Sequence, residues 1–278
     1  MSAPRRQGAR AVRSGGFDYE SKQWGAAPVY PRPWYLQGLR LRWCLEDLAP
    51  VHGRWLDAGC GAGNMTRAIK RARPDLDLVG VDASRRAIAA AGAAADGIRF
   101  EVGDVEHLSA GLGRFEAVVM FDVLEHLEHP RRALESVARM LKPGGRFHIA
   151  LPLEDQPWTL HRFLRRRGWR AKVRQSGHVQ AFSAASFRAL ASGAGLEVVR
   201  GRYSSHPLLT LADVGWYVYL DARGGAERSL DDELAEARGV GASLMRGLKA
   251  GVAATGWWES RLLSGAPGAC GHFTCVRR

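Results

Sequence analysis

The chain has 278 residues, 46% of them hydrophobic, and a formal net charge of +12 at neutral pH. That length and apolar content predict a globular protein with a sizeable core, one large domain or a domain with an insertion, and exclude a fibrous or wholly disordered chain. The positive charge favours an anionic partner, whether nucleic acid, a phosphorylated small molecule or an anionic membrane surface, with an arginine-rich composition as the plain alternative.

Four cysteines, Cys44, Cys60, Cys270 and Cys275, lack the short paired spacing of a zinc site or disulfide framework, which predicts a reducing, cytoplasmic setting. Met1 to Gly16 is basic, carries no apolar signal-peptide core, and reads as a disordered tail. No stretch reaches the roughly 20 apolar residues of a membrane span. The longest candidate, Leu208 to Leu220, contains Asp213.

In chain order, Phe17 to Arg32 is rich in aromatics and proline, including Tyr19, Trp24 and Tyr30, and should fold over the core edge or a pocket mouth. Pro33 to Leu48 predicts a helix with Trp34, Leu41, Leu45 and Leu48 near one face. Arg54 to Cys60 is a strand, followed by a glycine-rich loop and a helix to Arg73. Leu76 to Ala83 is a second strand, and Ser84 can cap the alanine-rich helix after it. Ile98 to Gly103 is a third. Phe115 to Phe121 is a fourth, and its run Ala117-Val118-Val119-Met120-Phe121 suits a strand buried on both faces. A helix from Pro130 to Leu141, the turn Lys142-Pro143-Gly144-Gly145 and a strand from Arg146 to Leu151 follow. This alternation predicts a doubly wound, parallel α/β sheet.

After Pro152 the rhythm breaks. Trp158 to Arg174 holds Arg162, Arg165, Arg166, Arg167, Arg170, Lys172 and Arg174 with no acidic residue. It reads as a nucleic-acid patch, an anion clamp, a membrane-facing element or a solvated basic face. Ser183 to Gly193 is a capped helix, Leu196 to Arg202 a sixth strand and Gly271 to Val276 a last strand. Between these two strands lies a mostly helical stretch with Trp216, Tyr217, Tyr219, Trp257 and Trp258.

Ligands of open α/β sheets bind at the carboxyl ends of the strands. There the chain places Asp57 with Gly59, Gly61 and Gly63, then Asp82, Asp104 and Asp122. The loop reads G-x-G-x-G, where a dinucleotide site would read G-x-G-x-x-G. Leu56 to Gly63, Gly80-Val81-Asp82-Ala83-Ser84, Gly103-Asp104-Val105-Glu106, Phe121 to His126 and Leu141 to Gly145 together resemble the class I S-adenosylmethionine-dependent methyltransferases over about residues 50 to 203. The resemblance implies a Rossmann-like fold of seven mostly parallel strands, the last antiparallel, and S-adenosylmethionine as cofactor. It also implies roles. Gly59, Gly61 and Gly63 approach the cofactor's methionine part, and Asp57 orders their loop. Asp82, with Ala83 beside it, takes the ribose hydroxyls. Asp104 accepts from the adenine amino group and Val105 lines the ring. Phe121 and Asp122 sit near the sulfonium.

Asp122, Glu125 and His126 have i, i+3, i+4 spacing, one face if the segment is helical, and His178 follows later. The pattern resembles ubiquinone-pathway O-methyltransferases and small-RNA 2′-O-methyltransferases, which hold a divalent metal with such groups. Their first acid is usually glutamate. Asp122 is shorter, so no metal is expected, with Asp122, Glu125 and His126 as the alternative ligand set. Glu125, His126 and His178 are the candidate catalytic residues, His126 as base or substrate contact. A packing role for His126 and a loop hydrogen bond for His178 are the plain alternatives.

The resemblance divides the chain into a tail (1–16), an N-terminal cap segment and helix (17–48), a methyltransferase core (49–203 and 266–278) and a helical lid (204–265). The expected activity is methyl transfer to a small-molecule or lipid-like acceptor at oxygen. An RNA 2′-O- or base methyltransferase and a non-catalytic cofactor-binding module remain alternatives. Peripheral membrane contact through the lid is an open option, and the sequence does not fix an oligomeric state.

Overall fold

The computed structural model describes residues 13–14, 17–18, 28–94, 96–224, 234 and 236–278. Its centre is a seven-stranded sheet of β1 (Arg54–Ala58), β2 (Asp77–Asp82), β3 (Arg99–Val102), β4 (Phe115–Phe121), β5 (Leu141–Pro152), β6 (Leu196–Ser204) and β7 (Cys270–Arg277). The order is β3-β2-β1-β4-β5-β7-β6. The first five strands run parallel, and β7 is antiparallel to both β5 and β6. This is the predicted doubly wound sheet. Arg13–Ser14 pairs with Phe17–Asp18 in a separate antiparallel ladder, so the end of the expected disordered tail is backbone-paired. The rest of that tail, and Tyr19 and Trp24 of the aromatic segment, lie outside the described residues.

The helices are α1 (Gly38–Asp47), α2 (Asn64–Ala72), α3 (Arg85–Gly92), α4 (Pro130–Met140), α5 (Leu160–Arg166), α6 (Ala171–Ser176), α7 (Ala184–Gly193), α8 (Pro207–Ala222) and α9 (Val240–Leu262). Local chemistry explains several starts. The Ala87 amide donates to Ser84 Oγ, capping α3. Pro130 opens α4, where a missing N–H costs nothing. Ser183 and Ser186 form a reciprocal capping box on α7.

The two apolar layers meet across β4. Val118 and Met120 join Leu134, Val137 and Phe187, which lie on α4 and α7. Ala117 and Val119 join Leu41, Met65 and Ile69, which lie on α1 and α2, and Leu48 just after α1. Alternate residues of one strand thus fill both layers, which is why its sequence is almost unbroken apolar.

One predicted helix starts later than its pattern suggested. Residues 31–37 form turns, and α1 begins at Gly38. A Cβ on Gly38 would stand 2.6 Å from the carbonyl oxygens of Tyr30 and Arg32, so the incoming chain folds tightly against this point. Trp34 is therefore half exposed, and Trp43, not Trp34, is the buried tryptophan, packed with Leu39 and Trp257. Val29 joins the layer of α1 and α2, so the described end of the aromatic segment covers the core edge.

Helix α1 is fastened at its far end. Buried Asp47 accepts from Arg202 Nη2 at 2.5 Å and from Thr274 Oγ1 at 3.0 Å, tying the helix to β6 and β7. The two insertions pack together, with α8 against α5, α6 and α9, and α9 also on β6. All four cysteines are free and buried. Among the described residues no helix is long and apolar enough to cross a membrane.

Candidate active site

The glycine loop leaves β1 with positive φ at Gly59 (84°), Gly61 (53°) and Gly63 (81°), a region that favours glycine. A Cβ on Gly59 would come 2.3 Å from Val123, and one on Gly63 would come 2.7 Å from Phe100. Glycine is thus required by the fold as well as by any ligand. The amides of Gly59 and Cys60 donate to the Val81 carbonyl at 2.7 and 3.0 Å, pinning the loop to β2. Asp82 Oδ2 accepts from the Gly61 amide at 2.8 Å, and its Oδ1 accepts from Ser84 N at 2.9 Å. A carboxylate has about four acceptor sites, so it can hold the loop and still accept from a hydroxyl.

Asp57 is buried and accepts from Thr66 Oγ1 at 2.6 Å, joining the strand end to α2. Burial pushes its carboxyl up to about 7 against the opposing Thr66 hydrogen bond. Ala83 is half-buried at the β2 exit. Asp104 caps a 3₁₀ turn through the Glu106 amide at 2.8 Å and pairs with His107 Nδ1 at 3.0 Å, while Val105 is buried behind it. Phe121 is half-buried at the β4 exit.

The β4 exit departs from the sequence expectation. Asp122 has φ 53°, and a single 3₁₀ turn, Leu124–His126, follows, so Asp122, Glu125 and His126 do not line one helix face. Asp122 Oδ2 accepts from Arg40 Nη1 of α1 in an ion pair, which draws it away from the alternative metal set. The structure instead groups Glu125, His126 and His178, whose ligand atoms all lie within 4.8 Å of one another.

Glu125 is 1% exposed and neither carboxyl oxygen has a hydrogen-bond partner among the described residues. Burial, and then the charge of Asp122, push its carboxyl well above the usual range. His126 Nδ1 lies 3.3 Å from the Gly177 carbonyl, and its Nε2 lies 3.8 Å from Glu125 Oε1. Burial and the neighbouring His178 lower His126 to about 3. The two imidazoles meet edge to face at 4.8 Å.

His178 is oriented by a residue the sequence reading did not single out. Its Nδ1 lies 2.5 Å from Glu154 Oε1, which leaves Nε2 for the cluster. Glu154 also accepts from Arg165 Nη1 at 3.2 Å and lies 3.9 Å from Lys172 Nζ. Burial would raise Glu154, but the His178 hydrogen bond and the charges of His178 and Lys172 outweigh it and hold the carboxyl at about 2. Lys172 in turn meets Asp213 of α8 at 2.8 Å, and Asp213 meets His161 at 2.8 Å. A chain of ionisable groups, buried except at the half-exposed Asp213, thus runs from α8 to the cluster. Glu154 stands two residues past Pro152, at the β5 exit, and that position was the available signal.

A family model described as a methyltransferase domain matches residues 33–200. The chain belongs to this family, within the class I S-adenosylmethionine-dependent methyltransferases. It is 32% identical over 136 residues to a ubiquinone biosynthesis O-methyltransferase of Alkalilimnicola ehrlichii, covering 46% of this chain and 54% of that protein. It is 28% identical over 134 residues to the protein of the same name from Xanthomonas axonopodis pv. citri, covering 47% and 56%. The chain therefore spans only about half the length of these relatives.

Among solved structures, the cyclase SpnF aligns with TM-score 0.57 at 17% identity, covering 91% of this chain and 83% of that one. A putative sarcosine dimethylglycine methyltransferase from Galdieria sulphuraria aligns with TM-score 0.56 at 16% identity, covering 86% of each. At these identities the likeness concerns the fold, and one neighbour being a cyclase shows why the fold alone does not name a reaction.

The donor set suits the family's cofactor. A ribose calls for acceptors and a cationic sulfonium and ammonium for carboxyl groups, and the strand exits supply Asp82, Asp104, the Arg40-paired Asp122 and Glu125, whose burial favours its neutral form. The cluster also suits a divalent cation. Two donors each about 2.1 Å from one ion stand at most about 4.2 Å apart. Small side-chain movements would close the present spacing.

Proposed function

We propose that the chain transfers the methyl group of S-adenosylmethionine to an oxygen atom of a small or lipid-like acceptor. The observation that carries this reading is the meeting of Glu125, His126 and His178 at the β4 exit, with both Glu125 oxygens unpartnered. The relatives named ubiquinone biosynthesis O-methyltransferases support oxygen as the accepting atom.

In this reading Gly59, Gly61 and Gly63 lie against the methionine part of the cofactor, and Asp57 holds the loop through Thr66. Asp82 accepts from the ribose hydroxyls with Ala83 beside it, Asp104 from the adenine amino group, and Val105 lines the ring. Phe121 and Asp122 stand nearest the reactive end. Asp122 is already neutralised by Arg40, so Glu125 is the acidic group left there. Bound S-adenosylmethionine supplies an electrophilic methyl group.

The protein's part is to position the acceptor. His126 is neutral at physiological pH because burial and His178 lower it, which makes it a weak base, so in this reading it contacts and orients the acceptor hydroxyl. Glu154 fixes His178 so that its Nε2 faces the cluster. A divalent cation on Glu125, His126 and His178, when bound, would occupy His126 Nε2, since Nδ1 faces the Gly177 carbonyl, and would supply Lewis acidity toward the hydroxyl in place of that contact.

An RNA acceptor is the second reading, favoured by exposed Arg166, Arg167 and Arg170. Against it, Arg165, Lys172 and Arg174 of the same insert are committed to Glu154, Asp213 and Asp221. The test is an acceptor screen with radiolabelled cofactor over lipid, aromatic, sugar and RNA pools, with and without EDTA. Label entering a lipid or aromatic pool supports the proposal. Label entering RNA alone, with steep salt dependence, would replace it with the second reading. Cofactor binding without label in any pool would leave a non-catalytic module.

A further inference from the structure

We propose that the outward face of α8 and α9 docks on an anionic lipid surface. Helix α9 has 23 residues and is about 34 Å long. At about 100° per residue, Val240, Leu244, Leu248, Trp258 and Leu262 share one face. All five are 59–88% exposed. Gly251 and Thr255, also exposed, fall in the gap, so the stripe carries no charge along its length. A helix of a water-soluble protein ordinarily turns its polar side outward. Here the buried residues Ala253, Gly256, Trp257 and Ser260 face inward, and the outward side is apolar as well.

Helix α8, packed beside it, repeats the arrangement. Leu208, Leu211, Val218 and Tyr219 are exposed. Its two carboxylates are drawn inward, Asp213 to His161 and Lys172, and Asp221 to Arg174 and Gln175. The basic insert thus removes negative charge from the outer surface of α8. Exposed cations stand beside the two helices, Arg223 just after α8 and Arg261 on the flank of the α9 stripe, whereas Arg246 lies on the opposite side of α9 and donates to the Leu234 and Ala237 carbonyls, and Glu236 is exposed ahead of α9. The one acid of α9, Glu259, accepts from the Leu208 amide at 3.2 Å. Helix α5, also packed on α8, brings a fully exposed Trp158 just before it, and exposed Phe163, Arg166 and Arg167.

Apolar and aromatic side chains bordered by arginine suit the headgroup region of an anionic leaflet, where the chains enter the acyl boundary and the guanidinium groups meet phosphate. A second copy of this chain would bring the same cationic border against itself on a molecule of net charge +12. Charge complementarity therefore selects the lipid. The inference does not depend on which acceptor is methylated.

The experiment is co-sedimentation of the full chain with vesicles of phosphatidylcholine alone or with phosphatidylglycerol, beside sedimentation velocity in solution. The expected result is binding to the mixed vesicles about tenfold or more tighter than to the neutral ones, weakened by salt. L244E/L248E should lose that binding by about tenfold or more while keeping the circular dichroism spectrum and the S-adenosylmethionine affinity. V240E/L262E, at the two ends of the stripe, is the second variant should the first misfold. No binding of the wild type to either vesicle, or undiminished binding of the variants, overturns the proposal. So does a wild-type dimer that L244E/L248E dissolves, which would make the face a self-association surface. Retained cofactor affinity in every arm separates failure here from failure of the methyl-transfer reading.

Discussion

Replacing Glu154 by glutamine removes one negative charge from a site where Arg165, Lys172 and the His178 imidazole converge and changes almost nothing else in shape. The carboxylate is 2% exposed, meets His178 Nδ1 at 2.5 Å and Arg165 Nη1 at 3.2 Å, and has Lys172 Nζ 3.9 Å away. Stranding a buried charge outright costs about 3–5 kcal/mol. That full figure does not apply, because Lys172 keeps Asp213 at 2.8 Å and Arg165 is partly in solvent. What remains is one charge-assisted hydrogen bond reduced to a neutral one, about 1.5 kcal/mol. For a chain of this size that lowers the melting temperature by about 3–6 °C. The pH dependence carries a sign. Glu154 is held at about 2, below its ordinary value, so its contribution is present above about 4.5 and is lost as pH falls toward 2. The E154Q penalty should therefore shrink in acid. Loss of the carboxylate also releases His178 from a single orientation, which should weaken divalent-cation binding or turnover by about 10–100-fold. Differential scanning calorimetry at pH 7 and pH 3, cation titration and methyl-transfer assays read these effects. A variant that melts with the wild type, and keeps cation affinity and turnover within about twofold, would refute the role assigned to Glu154.

Asp57→Asn should flatten the pH dependence of stability: the wild-type carboxyl is raised to about 7, so the folded state holds an extra proton and stability falls by up to about 4 kcal/mol as pH rises from about 4 through 7, measurable by urea denaturation across that range. Because His126 is lowered to about 3, its contribution works in the opposite sense, stability rising with pH between about 3 and 6.5, and His126→Gln should remove that slope in the same experiment. Asp82→Asn keeps an oxygen for the loop amides but drops the charge and should weaken S-adenosylmethionine binding by about 1.5–3 kcal/mol in calorimetry; unchanged affinity would remove Asp82 from the ribose role. If EDTA leaves turnover intact, the cation has no part and His126 alone contacts the hydroxyl.

Elements set by local chemistry were legible from the residues. The continuous apolar run of β4, the cap at Ser84 and the glycine loop each depend on neighbours a few positions away. The helix before β1 starts later than expected although Trp34 falls in the period of Leu41 and Leu48, while Trp43 lies on the opposite face, buried against Trp257 of a distant insertion. The tight approach of Gly38 to the carbonyls of Tyr30 and Arg32 sets the start of the helix. In the site, the acidic residues at the strand exits could be read from spacing. Their partners could not. Arg40 is 82 positions from Asp122, Glu154 is 24 from His178, and Lys172 finds Asp213 across two insertions. Charge pairing over such separations leaves no period in the sequence, so the Arg40 counterion that takes Asp122 out of the alternative ligand set is visible only in the structure.

The strands that bracket the lid are neighbours in the sheet, with Ser204 directly opposite Cys270. Residues 205–269 thus leave and return across a single rung, as the loop of an enlarged hairpin. The entropy of closing such a loop grows only with the logarithm of its length, about 0.6 kcal/mol for each doubling. Closure at that rung would therefore tolerate a different length, provided a replacement again covers Trp43 and gives Lys172 a carboxylate in place of Trp257 and Asp213. We propose that acceptor choice rides on this excursion; a chimera joined at Ser204 and Cys270 should then take its substrate from the graft and its methyl donor from the host, and unchanged acceptor preference would refute it.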